Sequence, residues 1–163
     1  MEQNYLYTLA FLKRKDEILM INRLKSPWQG MWNGVGGKRL KDESPLDCIL
    51  REIEEETGIV LRKDEITFKG TLSWNSDFIA QSSGLYIFVA ELPEDFVYDN
   101  PKAVKEGILA WRKISWICDE KSIGVAHNIR YFLPTVLNDE KRYHYHNVFD
   151  KGILVNVTKI PLE

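Results

Sequence analysis

Apolar residues first dominate the chain in two runs, residues 5–14 (YLYTLAFLKR) and 17–23 (EILMINR), separated by Lys15 and Asp16. A strand with one face in water alternates apolar and polar residues, whereas one buried on both faces is apolar throughout. Both runs therefore predict buried strands joined by a tight turn. Further strands are predicted at 65–74 (EITFKGTLSW), 84–92 (GLYIFVAEL) and 108–114 (ILAWRKI). A closing hairpin is predicted from 143–149 and 153–160, around Asp150, Lys151 and Gly152. Residues 24–37 (LKSPWQGMWNGVGG) are dense in Gly, Pro and Trp and read as loop. Residues 125–133 (VAHNIRYFL), ahead of Pro134, predict a helix. No repeat, linker or low-complexity run divides the chain, so one mixed α/β domain over residues 1–163 is expected.

The clearest helix is predicted from Pro45 to Thr57. Ser44 is placed as its N-cap, Pro45 suits the first helical position, and Asp47 meets free N–H groups in the first turn. Gly58 is placed to end it in a left-handed conformation. At about 100° per residue with Glu52 as origin, Leu46, Ile49, Leu50 and Ile53 fall between about 60° and 160°, a core-facing stripe. Glu55, Glu52 and Glu56 fall at about 300°, 0° and 40°, one acidic face, while Glu54 points away at about 200°. Like charges so spaced repel. Such a face is either spread into water or gathered around a hard cation such as Mg²⁺ or Mn²⁺, which prefers carboxylate and phosphate oxygens.

Composition narrows the surroundings more than the chemistry. The chain has 44% hydrophobic and 28% charged residues and a net charge of −2, which gives no footprint for a nucleic-acid or membrane-surface partner. Its two cysteines, Cys48 and Cys118, form no metal-ligand spacing and no disulfide framework, and they suit a reducing compartment. The apolar N-terminal run is too short to span a bilayer and lacks a basic leader, so a cytoplasmic protein is expected. His144 and His146 share a face of one strand and are expected to be ordinary exposed residues. Cys48, beside the acidic face, is expected to be a small packing residue.

The residues around the acidic face decide between its two readings. From Gly37 to Ile59 the sequence fits G-x5-E-x7-R-E-U-x-E-E-x-G-U, with U aliphatic, at Gly37, Glu43, Arg51, Glu52, Ile53, Glu55, Glu56, Gly58 and Ile59. At roughly 5–7% background usage per fixed residue, chance agreement is on the order of one in a billion per start site. This is the Nudix box, residues 37–59, and the chain resembles the Nudix hydrolases. The resemblance implies an α/β/α sandwich with a central mixed β-sheet, and Mg²⁺-dependent hydrolysis of a nucleoside diphosphate linked to another group, with Mn²⁺ as a substitute. It implies that Glu52, Glu55 and Glu56, with the Gly36 carbonyl, hold the metal. It also implies that Arg51 braces the glutamates and that Glu43 sits in the loop and helps orient the site. The general base is Glu52 or an acid outside the box, for which Glu106 is the candidate.

A narrower resemblance joins residues 5–12, the WNGVGGK of 32–38, Glu106 with Trp111, and the closing hairpin. Together they are similar to the MutT-type 8-oxo-dGTP diphosphatases, the oxidised purine nucleoside triphosphate hydrolases. That branch lines its base pocket with the first strand and the W-N-G loop, which nominates Thr8 and Asn33 for the base and Arg23 and Lys38 for the phosphates. Trp28 and Trp32 either stack on the base or simply pack. Where the animal-type enzymes carry an acidic pair, this chain reads VAHNIR, leaving Asn128 or His127 to contact the base. The implied function is sanitising of oxidised purine nucleotides, as in DNA repair, by a monomer or homodimer. Alternatives are a Nudix hydrolase of ADP-ribose, a dinucleoside polyphosphate or capped RNA, or a non-catalytic nucleotide-sensing module.

Overall fold

Strand β1 (Tyr7–Arg14) turns back through Lys15 and Asp16 into β2 (Glu17–Arg23), pairing Leu12 with Leu19 and Arg14 with Glu17. A computed structural model describes residues 4–75 and 84–163 of the protein. In these two strands Leu9, Phe11, Ile18 and Met20 face one side, and Ala10, Leu12, Leu19 and Ile21 face the other. All are buried, which is why neither run alternates in polarity.

The remaining strands are β3 (Trp32–Asn33), β4 (Thr67–Trp74), β5 (Gly84–Glu91), β6 (Lys102–Val104), β7 (Gly107–Lys113), β8 (Tyr143–Asp150) and β9 (Ile153–Pro161). They build one sheet in the order β6-β7-β2-β1-β5-β4-β8-β9, with β3 also paired to β2. The β1–β5 and β4–β8 pairs are parallel and the others antiparallel, so the sheet is mixed.

Helix α1 (Pro45–Thr57) covers one face and lays Ile49 and Ile53 on Ala10, Leu12, Leu19 and Ile21. Full burial of each isoleucine contributes about 1.5–3 kcal/mol. Its ends are as expected: the Ser44 hydroxyl accepts from the Asp47 N–H at 3.1 Å, and Gly58 closes it at φ 78°. The opposite face is covered by α2 (Ile114–Ile117), a 3₁₀ turn at Ile129–Tyr131 and α3 (Leu133–Asn138), through Ile117, Ile129, Phe132, Leu133 and Val136. The result is the α/β/α sandwich. Among the described residues no helix is long and apolar enough to cross a membrane.

Three expectations change. The helix expected before Pro134 instead begins at Leu133 and carries Pro134 in its first turn. Proline lacks only an N–H that is unpaired there anyway, which suits it to the first turn of a helix. The 24–37 loop contains β3, held because Trp32 and Asn33 pair with Asn22 and Ile21. His144 and His146 are half-buried rather than exposed. His144 Nδ1 lies 2.7 Å from the Thr71 hydroxyl, and the Ser73 hydroxyl joins His144 Nε2 at 2.9 Å to His146 Nδ1 at 2.7 Å.

Candidate functional site

The loop from Gly34 to Lys38 is stitched to β1. The Thr8 N–H donates to the Gly37 carbonyl at 2.9 Å, and Ala10 and Val35 exchange both backbone bonds. Two adjacent glycines are needed here for different reasons. A Cβ on Gly36, at φ 153°, would stand 2.1 Å from the Thr8 carbonyl oxygen. One on Gly37 would stand 2.5 Å from the carboxyl carbon of Glu52, so the loop and the acidic face of α1 are in direct contact.

Behind that contact sits Arg51. Its Nε and one terminal nitrogen grip both oxygens of Glu43 at 2.8 Å. The other terminal nitrogen reaches Glu52 at 2.9 Å and Glu55 at 3.2 Å, and a further bond runs to the Lys38 carbonyl at 3.2 Å. The two-pronged Arg51 contact, with the Leu40 N–H, holds the Glu43 carboxyl down at about 2. The same carboxylates push the Arg51 guanidinium above its ordinary value. Through these bonds Arg51 joins the loop to the helix.

Glu52, Glu55 and Glu56 differ in depth. The Glu55 side chain is 59% exposed and Glu52 only 15%. Glu56 is buried, with one oxygen accepting from the Gly36 N–H at 3.2 Å. Burial raises the Glu56 carboxyl to about 8, against the pull of that N–H, and the charges of Glu52 and Glu106 push the same way. Burial also raises Glu52, despite Arg51. Glu106 is exposed in the turn between β6 and β7, where its carbonyl accepts from the Leu24 N–H at 3.0 Å, and its carboxylate acts on both Glu52 and Glu56. The topology therefore brings Glu106 within electrostatic reach of Glu52 and Glu56. Arg23 joins them: its charge lowers Glu56, and its Nε donates to the Pro27 carbonyl at 2.7 Å.

An all-oxygen donor set of this kind suits a hard divalent cation. Among the described residues no three Asp, Glu, His or Cys side chains already converge into a cation-binding group, and Arg51 holds Glu52 and Glu55 in ion pairs. Glu56 is the group whose burial makes sense with a cation, since a lone buried carboxylate is costly.

The residues expected around the base are less uniform. Thr8 is buried, and its hydroxyl donates to the Gly37 carbonyl at 3.2 Å and lies 3.4 Å from the Cys48 sulfur. These contacts fasten the loop to α1. The fully buried Cys48 packs as expected, its thiol pushed up to about 11 by burial. Asn33 is half-buried and its side-chain oxygen accepts from the Gly34 N–H at 2.8 Å, leaving the amide nitrogen without a bond among the described residues. Lys38 is exposed, and Asn128 is half-buried beside Trp28's neighbour His127. Trp32 carries the Arg112 guanidinium 4.2 Å over its ring. Sequence reasoning missed Arg112, because nothing in ILAWRKI marks which ring lies across from it.

Gly37→Ala separates position from stability. The three atoms nearest the added methyl all belong to the Glu52 carboxylate rather than to backbone, so the stability loss is expected to stay at about 1 kcal/mol. Turnover is expected to fall by about tenfold or more, because a displaced carboxylate no longer faces its partners. Steady-state kinetics beside a thermal melt checks both halves, and unchanged turnover would remove Glu52 placement from the account.

Comparison with known proteins gives the same picture. The NUDIX domain family matches residues 6–135. An uncharacterized Nudix hydrolase of Bacillus subtilis, YvcI, is 30% identical over 111 residues, covering 66% of this chain and 65% of that protein. The chain thus spans just under two thirds of that relative's length. The oxidized purine nucleoside triphosphate hydrolase of Mus musculus is 27% identical over 117 residues, 72% of this chain and 71% of its own. The crystal structure of a mutator MutT protein from Bacillus halodurans superposes with a TM-score of 0.74 at 23% identity, covering 94% and 95% of the two chains, and shares the fold.

Proposed function

We propose, for a chain that belongs to the NUDIX domain family, that it hydrolyses nucleoside triphosphates to the monophosphate and pyrophosphate, with oxidised purine nucleotides such as 8-oxo-dGTP as the favoured substrates. Nudix hydrolases act on phosphoanhydride bonds of nucleotide derivatives and generally use divalent metals. The single observation that carries the reading here is the Glu56 carboxylate, buried against the Gly36 N–H at 3.2 Å on the helix that also carries Glu52 and Glu55. Its burial is a cost that a bound cation would remove.

In this reading Glu52, Glu55 and Glu56 would hold the ion. Bound Mg²⁺ or Mn²⁺ supplies neutralising charge for the polyphosphate oxygens and lowers the pKa of a water. Arg51, gripped by Glu43, holds Glu52 and Glu55 in place, and the Gly36 N–H holds Glu56. Glu106, exposed and without an ion pair among the described residues, accepts the proton of the attacking water. Arg23 and Lys38 meet the outer phosphates. Asn33, with its unused amide nitrogen, and Asn128 are the base contacts retained from the sequence, and the chain works as one domain on a small-molecule substrate. The preference for an oxidised purine is supported by similarity to the mouse hydrolase named for that substrate class.

The test is kcat/KM with Mg²⁺ for 8-oxo-dGTP, dGTP, the other triphosphates, ADP-ribose and a dinucleoside tetraphosphate, with products separated. A preference of about tenfold or more for 8-oxo-dGTP over dGTP is expected, the scale on which one hydrogen-bonded edge discriminates. Preference for ADP-ribose or the tetraphosphate would keep the family chemistry and overturn the substrate.

A further inference from the structure

Asn147 on β8 is fully buried, yet neither the oxygen nor the nitrogen of its side-chain amide has a hydrogen-bond partner among the described residues. Such a group loses its water on folding and regains nothing, whereas an apolar side chain of the same shape would be neutral or stabilising there. Kept amides of this kind call for a use.

Its surroundings are rings. Tyr143, Tyr145 and Asn147 share one face of β8, and both tyrosines belong to the core on the side of the sheet opposite α1. Trp74 stands directly across from Asn147 in the parallel β4–β8 pair, and its indole is 6.3 Å from the exposed ring of Tyr7. Phe149, farther along β8, lies 6.3 Å from Trp28, which meets His127 edge-on at 5.4 Å. Trp28 itself is held at φ 61°, a left-handed conformation rare for a bulky residue, with its carbonyl accepting from the Met31 N–H at 3.0 Å. Strained backbone of this sort collects where a ligand is clamped. Half-buried Trp28, Trp74 and Phe149 offer flat surfaces on which a base ring stacks.

We propose that Asn147 reads the base of the bound nucleotide. The base enters the region lined by Tyr7, Trp28, Trp74 and Phe149 and takes up the donor and the acceptor that the amide leaves unused. An Asn side chain addresses an adjacent acceptor and donor on one base edge at once. A base without that pair leaves the amide unpaired and is rejected. Because the amide is covered, a neighbouring side chain has to turn aside on binding. The ligand class rests on the nucleotide-hydrolase reading above, while the site itself rests on the unpartnered amide.

The experiment measures calorimetric binding, with Mg²⁺, of α,β-methylene analogues of purine and pyrimidine nucleoside triphosphates and of inorganic tripolyphosphate. It compares the wild type with Asn147→Leu, and with the unbranched Asn147→Met in case leucine does not fit, alongside the Tm of each free protein. The substituted proteins are expected to melt at the same or a higher temperature and to bind the best nucleotide analogue about tenfold or more weakly, with tripolyphosphate affinity unchanged. A lower Tm with equal losses for nucleotide and tripolyphosphate would make Asn147 a structural amide and overturn the proposal, as would undiminished nucleotide binding. Parallel hydrolysis assays separate the two readings. Wild-type protein that binds nucleotides through Asn147 but cleaves none sinks the hydrolase reading alone. Cleavage that is indifferent to Asn147 sinks this proposal alone.

Discussion

Glu56→Gln is expected to make the metal-free protein more stable at pH 8.5 while lowering kcat by about a thousandfold, the scale on which a group stabilising developing charge contributes. The two effects have one cause. The buried Glu56 carboxyl ionises at about 8 in the folded protein and near its ordinary value of 4.5 in the unfolded chain. The fold therefore favours the protonated form. That advantage is fully present below pH 4.5 and is lost as pH rises through 8, where burying the anion costs about 3 kcal/mol after local relaxation. A neutral glutamine never bears the cost. In EDTA the variant should melt about 6–12 °C above wild type at pH 8.5 and level with it at pH 4. A variant that melts lower at pH 8.5 would show that the carboxylate has a satisfying partner in the free protein.

Glu43→Gln should act in the opposite direction. Arg51 holds the Glu43 carboxyl at about 2, so ionised Glu43 stabilises the fold above pH 4.5 and that contribution disappears as pH falls from 4.5 to 2. The two side chains are only 13% and 25% exposed, which makes this more than a surface pair. Its loss is expected to cost about 2 kcal/mol at pH 7 and almost nothing near pH 2. Denaturant unfolding at the two pH values measures both. Freed from Glu43, Arg51 also tightens on Glu52 and Glu55, so the variant should need more Mg²⁺ for half-maximal turnover. Equal stability of the two proteins at pH 7 would reduce the brace to a surface contact.

Local signals that agree with one another were legible. Ser44, Pro45, the 3.6-residue stripe and Gly58 all mark one helix, and α1 has the expected bounds. The wheel even ranks the glutamates: Glu56, next to the apolar stripe, is buried, and Glu55, farthest from it, is open. Face assignment in β1 was not legible, because a run buried on both sides carries no alternation, and so the contact of Thr8 with Cys48 could not be read from the sequence. Partnerships made by distant strands were hidden as well. His144 and His146 find Thr71 and Ser73 only through the parallel β4–β8 register, more than seventy residues away in sequence. Pro134 was taken as a stop when it serves as a start, since proline reads the same on both sides of a helix end.

The most direct test of the acidic face as a cation site is Mn²⁺ affinity followed by electron paramagnetic resonance from pH 6 to 9, in wild type and Glu56→Gln. If Glu56 must give up its proton to hold the ion, wild-type affinity rises about tenfold per pH unit up to 8 and then levels, and the variant binds weakly with a flatter profile. Wild-type affinity that ignores pH, or a variant that binds Mn²⁺ as well as wild type, would contradict the account.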